Sequence, residues 1–269
     1  MKLGFIGLGN MASAIIGGIL KEGLIAQEDI TGSAKTEKTA KEKAAEFGIE
    51  TCTDNRKVAE QADVLILAVK PQFFPEVIGE IRDLVREDTL VISVAAGKTI
   101  KYIEEQFGTC GDRKTVRLVR CMPNTPALVL AGCTGFCANE RVNQEEKEFA
   151  EKLFSSFGKA IEVPERLMDA VGSVSGSSPA FVFMFIEALA DGAVAEGMPR
   201  EQALKFAAQA VYGSAKLVLE SGMHPGELKD MVCSPGGTTI QGVRTLEKGG
   251  MRGAVMDAVI ACAEKSRGL

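Results

Sequence analysis

Apolar residues run through this chain in two rhythms, and the change comes near Pro164. Before that point, short runs rich in Val, Ile and Leu alternate with stretches of helical spacing. Residues 2–6, 30–32, 64–69, 90–94 and 116–121 have strand composition and stop at Gly, Pro or polar positions. Between them, residues 11–22, 38–47, 74–85 and 100–107 place apolar side chains at helical intervals. The run Val64-Leu65-Ile66-Leu67-Ala68-Val69 has no polar face, as suits a strand of a parallel sheet covered on both sides. The alternation predicts a doubly wound α/β domain over residues 1–164, completed by a β-like run at 134–138 and a helix at 144–157.

Beyond Pro164 the β-like runs stop. Helices are predicted at 167–174, 179–196, 199–220, 225–232, 238–248 and 253–266, which makes residues 165–269 an all-α domain. Pro179 and Pro199 stand where first helical turns would begin, Ser178 is a candidate N-cap, and Gly197 and Gly222 are natural stops. The 179–196 segment is apolar almost all round, with Phe181, Val182, Phe183, Met184, Phe185, Ile186 and Leu189. Such a helix must be covered on most faces, inside a bundle or against another subunit. Ala207, Ala208, Ala210, Gly213, Ser214 and Ala215 let the next helix approach a neighbour closely. A helical domain of this size has a limited core of its own. The expectation is an oligomer whose C-terminal halves pack together.

Composition narrows the chemistry. The 269 residues are 46% apolar and 25% charged, with 31 basic and 36 acidic groups, a formal charge of −5. No basic cluster is present, which argues against nucleic acid and anionic membrane as partners. There is one histidine, His224, and no Trp, so clustered-His metal sites are impossible and any His-based triad would depend on that one ring. Reactivity is therefore expected to come from a cofactor. Seven cysteines, Cys110 among them, form no C-x-x-C and read as free, packed thiols rather than metal ligands. The N-terminus lacks a signal peptide's long apolar core, and the apolar stretch 179–190 is short for a membrane span and carries Glu187. A cytoplasmic protein is expected.

The first chemical motif is Gly7-Leu8-Gly9-Asn10-Met11-Ala12, which follows a strand and opens a helix. Gly7 permits the tight turn, Gly9 lets backbone approach a pyrophosphate, and Ala12 lets the helix lie close to the strand. The helix start then offers free N–H groups to phosphate, as in Rossmann-type dinucleotide sites. No carboxylate ends the second strand, where NAD-specific sites hold the ribose 2′-hydroxyl. Instead Ser33 and Lys35 stand there, which favours the 2′-phosphate of NADPH and leaves NADH as the alternative. A solvated lysine before a helix would look the same. The strand ends Ala68-Val69-Lys70-Pro71, Ala95-Ala96-Gly97 and Cys121-Met122-Pro123-Asn124-Thr125-Pro126 leave room for a nicotinamide, though turn chemistry alone also accounts for them.

In the helical half the informative block is Cys233-Ser234-Pro235-Gly236-Gly237-Thr238-Thr239. Two glycines free the backbone, and two threonines supply hydroxyls at a helix start, an arrangement sized for a carboxylate. A capped junction without ligand has the same composition. A second polar loop is expected at 173–179. His224 reads as a turn before a helix, and Cys233 as packing.

These residues together resemble the pyrroline-5-carboxylate reductase family. The likeness runs from Phe5-Ile6-Gly7-Leu8-Gly9-Asn10-Met11, through Ala68–Pro71 and Arg120–Pro126, to Leu228-Lys229-Asp230, Ser234–Ile240 and Leu246-Glu247-Lys248-Gly249-Gly250. The resemblance implies hydride transfer from NADPH or NADH to the C=N carbon of 1-pyrroline-5-carboxylate, giving L-proline. It implies a helical dimerisation domain with intertwined subunits, and a decamer of five dimers. Ile6, Gly7, Leu8, Gly9, Asn10, Met11, Ser33, Lys35, Asn55, Ala68, Val69, Lys70, Pro71, Ala95 and Ala96 are then expected at the cofactor. Thr239 would hydrogen-bond the substrate ring nitrogen, Ser234, Gly236, Gly237 and Thr238 would hold its carboxylate, and Glu165 would lie near it. Ser178 and Phe181 depart from the family's usual Gly and Tyr. A β-hydroxyacid dehydrogenase shares the N-terminal fingerprint, but its helical lysine is followed by an Asn that Lys216-Leu217-Val218-Leu219-Glu220 does not supply. A non-catalytic NADP-sensing regulator would have no use for the 234–239 block.

Overall fold

The structure is a computed structural model that describes residues 1–108 and 116–268. The expectation for Cys110 falls outside the described residues. The chain begins with β1 (Leu3–Ile6), α1 (Asn10–Lys21), β2 (Ile30–Ser33), α2 (Glu37–Phe47), β3 (Glu50–Cys52), α3 (Asn55–Gln61) and β4 (Val64–Leu67). It continues with α4 (Phe74–Ile81), β5 (Leu90–Ser93), α5 (Ile100–Phe107), β6 (Arg117–Met122), β7 (Gly132–Ala138), α6 (Gln144–Ser155) and β8 (Gly158–Glu162). The strands form one sheet in the order β3-β2-β1-β4-β5-β6-β7-β8. All pairs are parallel except β6 with β7. The order reverses beside β1, and α/β sheets bind ligands at that switch point.

β3 and β8 lie outside the predicted strands. Both are edge strands, and their sequences, Glu-Thr-Cys and Gly-Lys-Ala-Ile-Glu, carry no apolar run because one side needs no partner. The central strands β1, β4 and β5 are buried at every position, and helices cover the sheet with two apolar clusters.

Helices follow: α7 (Met168–Val171), α8 (Ser178–Ala195), α9 (Arg200–Ser221), α10 (Pro225–Val232), α11 (Thr238–Lys248) and α12 (Met251–Arg267). Two expectations fail here. Residues 173–179 are not a loop, and Ser178 does not stand at the start of a separate helix, because a π-helical turn over Gly172–Ser177 runs straight into α8. Pro179 has no N–H to give the carbonyl four residues back, that of Ser175. The Asn124 side chain supplies the donor instead, Nδ2 to Ser175 O at 3.1 Å. The helical run therefore spans Glu165–Ala195, 31 residues, long and apolar enough by composition to cross a membrane. The apolar stretch 179–190 is thus part of a helical run longer than the stretch itself.

The chain divides into two compact units, Met1–Ser177 with Cys262–Leu269, and Ser178–Ala261. Within the second, α8 and α9 meet through Ala190, Ala203 and Ala207, with Ile186, Ala193, Val194 and Met198 around them. Small side chains permit that approach, but of the stretch expected to provide it only Ala207 takes part; Ala208, Ala210, Gly213, Ser214 and Ala215 are exposed. Much of the apolar surface of α8 and α9 lies open: Phe183, Met184, Phe206 and Leu219 are all exposed.

Candidate active site

The loop after β1 and the ends of β2 and β4 enclose a cavity of about 440 Å³. Its lining includes Gly7, Leu8, Gly9, Ser33, Lys35, Asn55, Val69 and Lys70 from the expected cofactor residues. Gly7 is required there by its own surroundings. Its φ is +94°, and a Cβ would stand 2.9 Å from the Ala68 carbonyl oxygen and the Val69 side chain. Gly9 is different: a Cβ there would meet nothing within 4 Å. No packing among the described residues demands a glycine at that position, whereas a phosphate brought against the backbone would.

Gly9 is the N-cap of α1, and no side chain caps that helix. The N–H groups of its first turn are thus left to solvent or ligand, the condition for an anion site. Ala12 is fully buried beneath them, so the helix start lies close to the sheet. The residues present fit the diphosphate and adenosine end of a dinucleotide. Asn10, Met11, Ala68, Pro71, Ala95 and Ala96 do not line this cavity, and the side chain of Ile6 is in the core. Ala95 is itself buried, with its N–H held by Ser93 Oγ at 3.3 Å.

No carboxylate ends β2, as the sequence indicates, but acids reach this cavity from elsewhere in the chain. Glu76 and Glu80 of α4 line the same cavity. Glu80 Oε2 accepts from Asn55 Nδ2 at 2.8 Å, and Asn55 Oδ1 accepts from Ser33 Oγ at 2.7 Å. Lys35 lies with its Nζ 5.3 Å from the centre of the Phe73 ring. Inspecting only the end of β2 misses these acids, because the parallel crossover brings α4 to the same cavity from a later part of the chain.

Glu165 is on a second, larger cleft of about 690 Å³, lined also by Ile100, Glu104, Cys137 and Glu162. Its Oε1 accepts from the N–H of Ile100, at the start of α5, at 2.6 Å and from Arg120 Nη1 at 3.0 Å. Arg120 is buried on β6, with Asp169 Oδ1 4.0 Å from its Nη2, and Ser266 Oγ donates to Asp169 at 2.7 Å. Sequence reasoning passed over Arg120. Its signal was a cation flanked by apolar residues in the middle of the strand Arg117-Leu118-Val119-Arg120-Cys121-Met122, where a buried charge is tolerated only if it is paired. Burial pushes the Cys137 thiol up to about 11 and raises Cys121 further, which keeps both protonated. Among the described residues no group of three metal-binding side chains is found.

In the helical unit the 234–239 block forms a turn into α11. Gly236 has φ +71°, the Gly237 N–H reaches Ser234 O at 3.0 Å, and Gly237 is an N-cap with no side-chain bond to the helix. Thr238 and Thr239 open α11 as exposed residues, at a first turn whose N–H groups no side chain caps. His224 acts locally, its Nδ1 accepting from the Gly226 N–H at 3.0 Å to cap α10. That bond occupies the lone pair a general base would need.

A family model described as pyrroline-5-carboxylate reductase dimerisation matches residues 165–269, and one described as NADP oxidoreductase, coenzyme F420-dependent, matches residues 2–97. A pyrroline-5-carboxylate reductase of Escherichia coli is 48% identical over 268 residues, covering 100% of this chain and 98% of the relative. One of Methanosarcina acetivorans is 47% identical, covering 100% and 97%. The crystal structure of a Plasmodium falciparum pyrroline carboxylate reductase with NADP bound superposes with a TM-score of 0.88 at 34% identity, covering 100% and 97%.

Proposed function

The chain belongs to the pyrroline-5-carboxylate reductase family, and from that premise we propose how its own residues divide the reduction of 1-pyrroline-5-carboxylate to proline with NAD(P)H. When bound, the reduced nicotinamide supplies the hydride. The protein's share is to bind, to orient and to keep water out of the reaction. We assign the free N–H groups after Gly9 to the cofactor diphosphate, and Ser33, Lys35 and Asn55 to the adenosine end with its 2′-phosphate. NADPH is then the preferred cofactor. The remaining strand-end residues, from Ala68 to Pro71 with Ala95 and Ala96, are assigned to the part of the cofactor beyond this cavity.

The turn into α11 is assigned to the substrate. The N–H groups of Gly236 and Thr238, in the turn that the Gly237 N–H closes onto Ser234 O, suit a carboxylate, and the Thr239 hydroxyl suits the ring nitrogen. A threonine hydroxyl accepts from an iminium N–H or donates to the product amine. A cyclic imine is electrophilic already, so the absence of a free imidazole costs nothing. Glu165 completes the assignment near the substrate. The observation that carries it is the uncapped, exposed start of α11 in a chain alike over its whole length to reductases of this substrate.

We place the functional boundary between residues 164 and 165, where the dimerisation model begins. The exposed apolar side chains of α8 and α9 are assigned to a second copy of the chain, in a homodimer that assembles further into a decamer of five dimers. This cover accounts for the apolar 165–195 run and supports a cytoplasmic enzyme. The test is NADPH oxidation with pyrroline-5-carboxylate, run beside 3-hydroxy acids with NAD(P)+. Turnover of the imine alone is expected, and its absence from folded oligomer would overturn the assignment. Lys35→Ala is expected to weaken NADPH about tenfold while changing NADH little, by titration of each. Equal effects would remove Lys35 from the 2′-phosphate.

A further inference from the structure

The cavity assigned to the cofactor contains charges of both signs. Lys35 offers a cation, while Glu76 and Glu80 bring carboxylates from α4. Three polar groups at its edge are joined in a row: Ser33 Oγ donates to Asn55 Oδ1, and Asn55 Nδ2 donates to Glu80 Oε2. Ser33 is fully buried, so it fixes one end of the row. Its single hydroxyl proton goes to Asn55 at 2.7 Å, ahead of the Phe5 carbonyl at 3.4 Å. One Asn55 N–H goes to Glu80, and the Lys35 ammonium rests on Phe73.

A phosphate accepts hydrogen bonds and carries nearly two negative charges at neutral pH. To bind here it must draw hydrogen bonds from Lys35 and the second Asn55 N–H, or compete for those that Ser33 and Asn55 already donate, and in either case tolerate the Glu80 charge. A ribose hydroxyl faces neither cost. It can donate to Glu80 directly, as the acid at the end of β2 does in NAD-specific sites. We propose that Glu80 is a specificity-determining residue for the cofactor, favouring the 2′-hydroxyl of NADH and opposing the 2′-phosphate of NADPH. Lys35 pulls the other way, and the balance keeps both cofactors usable. The proposal rests on the assignment of this cavity to the adenosine end.

The decisive variant is Glu80→Gln. Its amide oxygen can still accept from Asn55, so the row survives while the charge is removed. Dissociation constants for NADPH and NADH are measured by fluorescence titration of the intact oligomer, without pyrroline carboxylate, so the result is independent of what is reduced. NADPH is expected to tighten about three- to tenfold relative to NADH, and the change should shrink at high salt because it is electrostatic. Glu80→Ala should move the ratio in the same direction. An unchanged ratio, or equal changes for both cofactors, would mean that Glu80 only holds Asn55 in place, and would overturn the proposal. So would failure of both cofactors to bind the unsubstituted protein.

Discussion

The two compact units of this chain satisfy their apolar residues in opposite ways. The sheet unit closes over its own core: Phe5, Phe74, Phe136, Phe154 and Phe157 are all essentially without exposed surface. The helical unit, Ser178–Ala261, buries little more than a few alanines, yet Phe206 and Met184 are more than half exposed and Leu219 is four-fifths exposed. A pattern that is settled inside one chain can be read from one chain. A pattern settled between chains looks, in a single copy, like an excess of apolar surface.

Substitutions separate the two cases. Phe136→Ala empties a site where the ring packs 5.4 Å from Phe154, centre to centre, and should cost about 3–5 kcal/mol. Chemical denaturation should report that loss at every protein concentration. Phe206→Ser removes a large exposed apolar group from α9 and should cost about 2 kcal/mol, but as weakened association. Sedimentation should show a smaller species, with a melting temperature that now depends on concentration. A monomer at working concentration before any substitution would break the comparison.

Smaller effects sharpen it. Thr239→Ala, at the exposed start of α11, should lower turnover about ten- to a hundredfold with melting temperature and NADPH affinity nearly unchanged. A large loss of NADPH affinity would refute the division of roles. The smallest effect belongs to the rim of the sheet unit. There the Lys2 backbone N–H, at 2.7 Å, and Arg86, at 2.6 Å, hold the Asp63 carboxyl below the usual range. Because the folded pKa is depressed, this stabilisation is present above the unfolded value and is lost as pH falls through the folded one. The pair is more than a third exposed, so Asp63→Asn should cost only about 0.5 kcal/mol at pH 7. Melts at pH 7 and in strong acid should differ for the native chain's advantage over the variant; an equal advantage at both would exclude the linkage.

The interior of the sheet was legible because β1, β4 and β5 have no polar face to confuse the period. Its edges were not, since the exposed side of β3 and β8 permits ordinary surface residues. Residues 173–179 read as a loop from their serines, glycine and proline. The Asn124 side chain that donates to Ser175 O beside Pro179 is distant in sequence, and no local window contains it. The site divides the same way. Gly7, Gly9 and Ala12 act through local geometry and could be named from their spacing. Glu80 and Arg120 matter through partners on other elements, which no local window contains.

The last helix has a consequence for the molecule's connectivity. The chain leaves the sheet unit after Ser177 and rejoins it at Cys262, so the helical unit is an insertion with both ends secured rather than an appended tail. The returning end carries Ser266, bonded to the Asp169 that stands beside Arg120. A protease that cuts once between 178 and 261 therefore produces two pieces that both remain part of the sheet unit. A nicked molecule would migrate as intact until denatured.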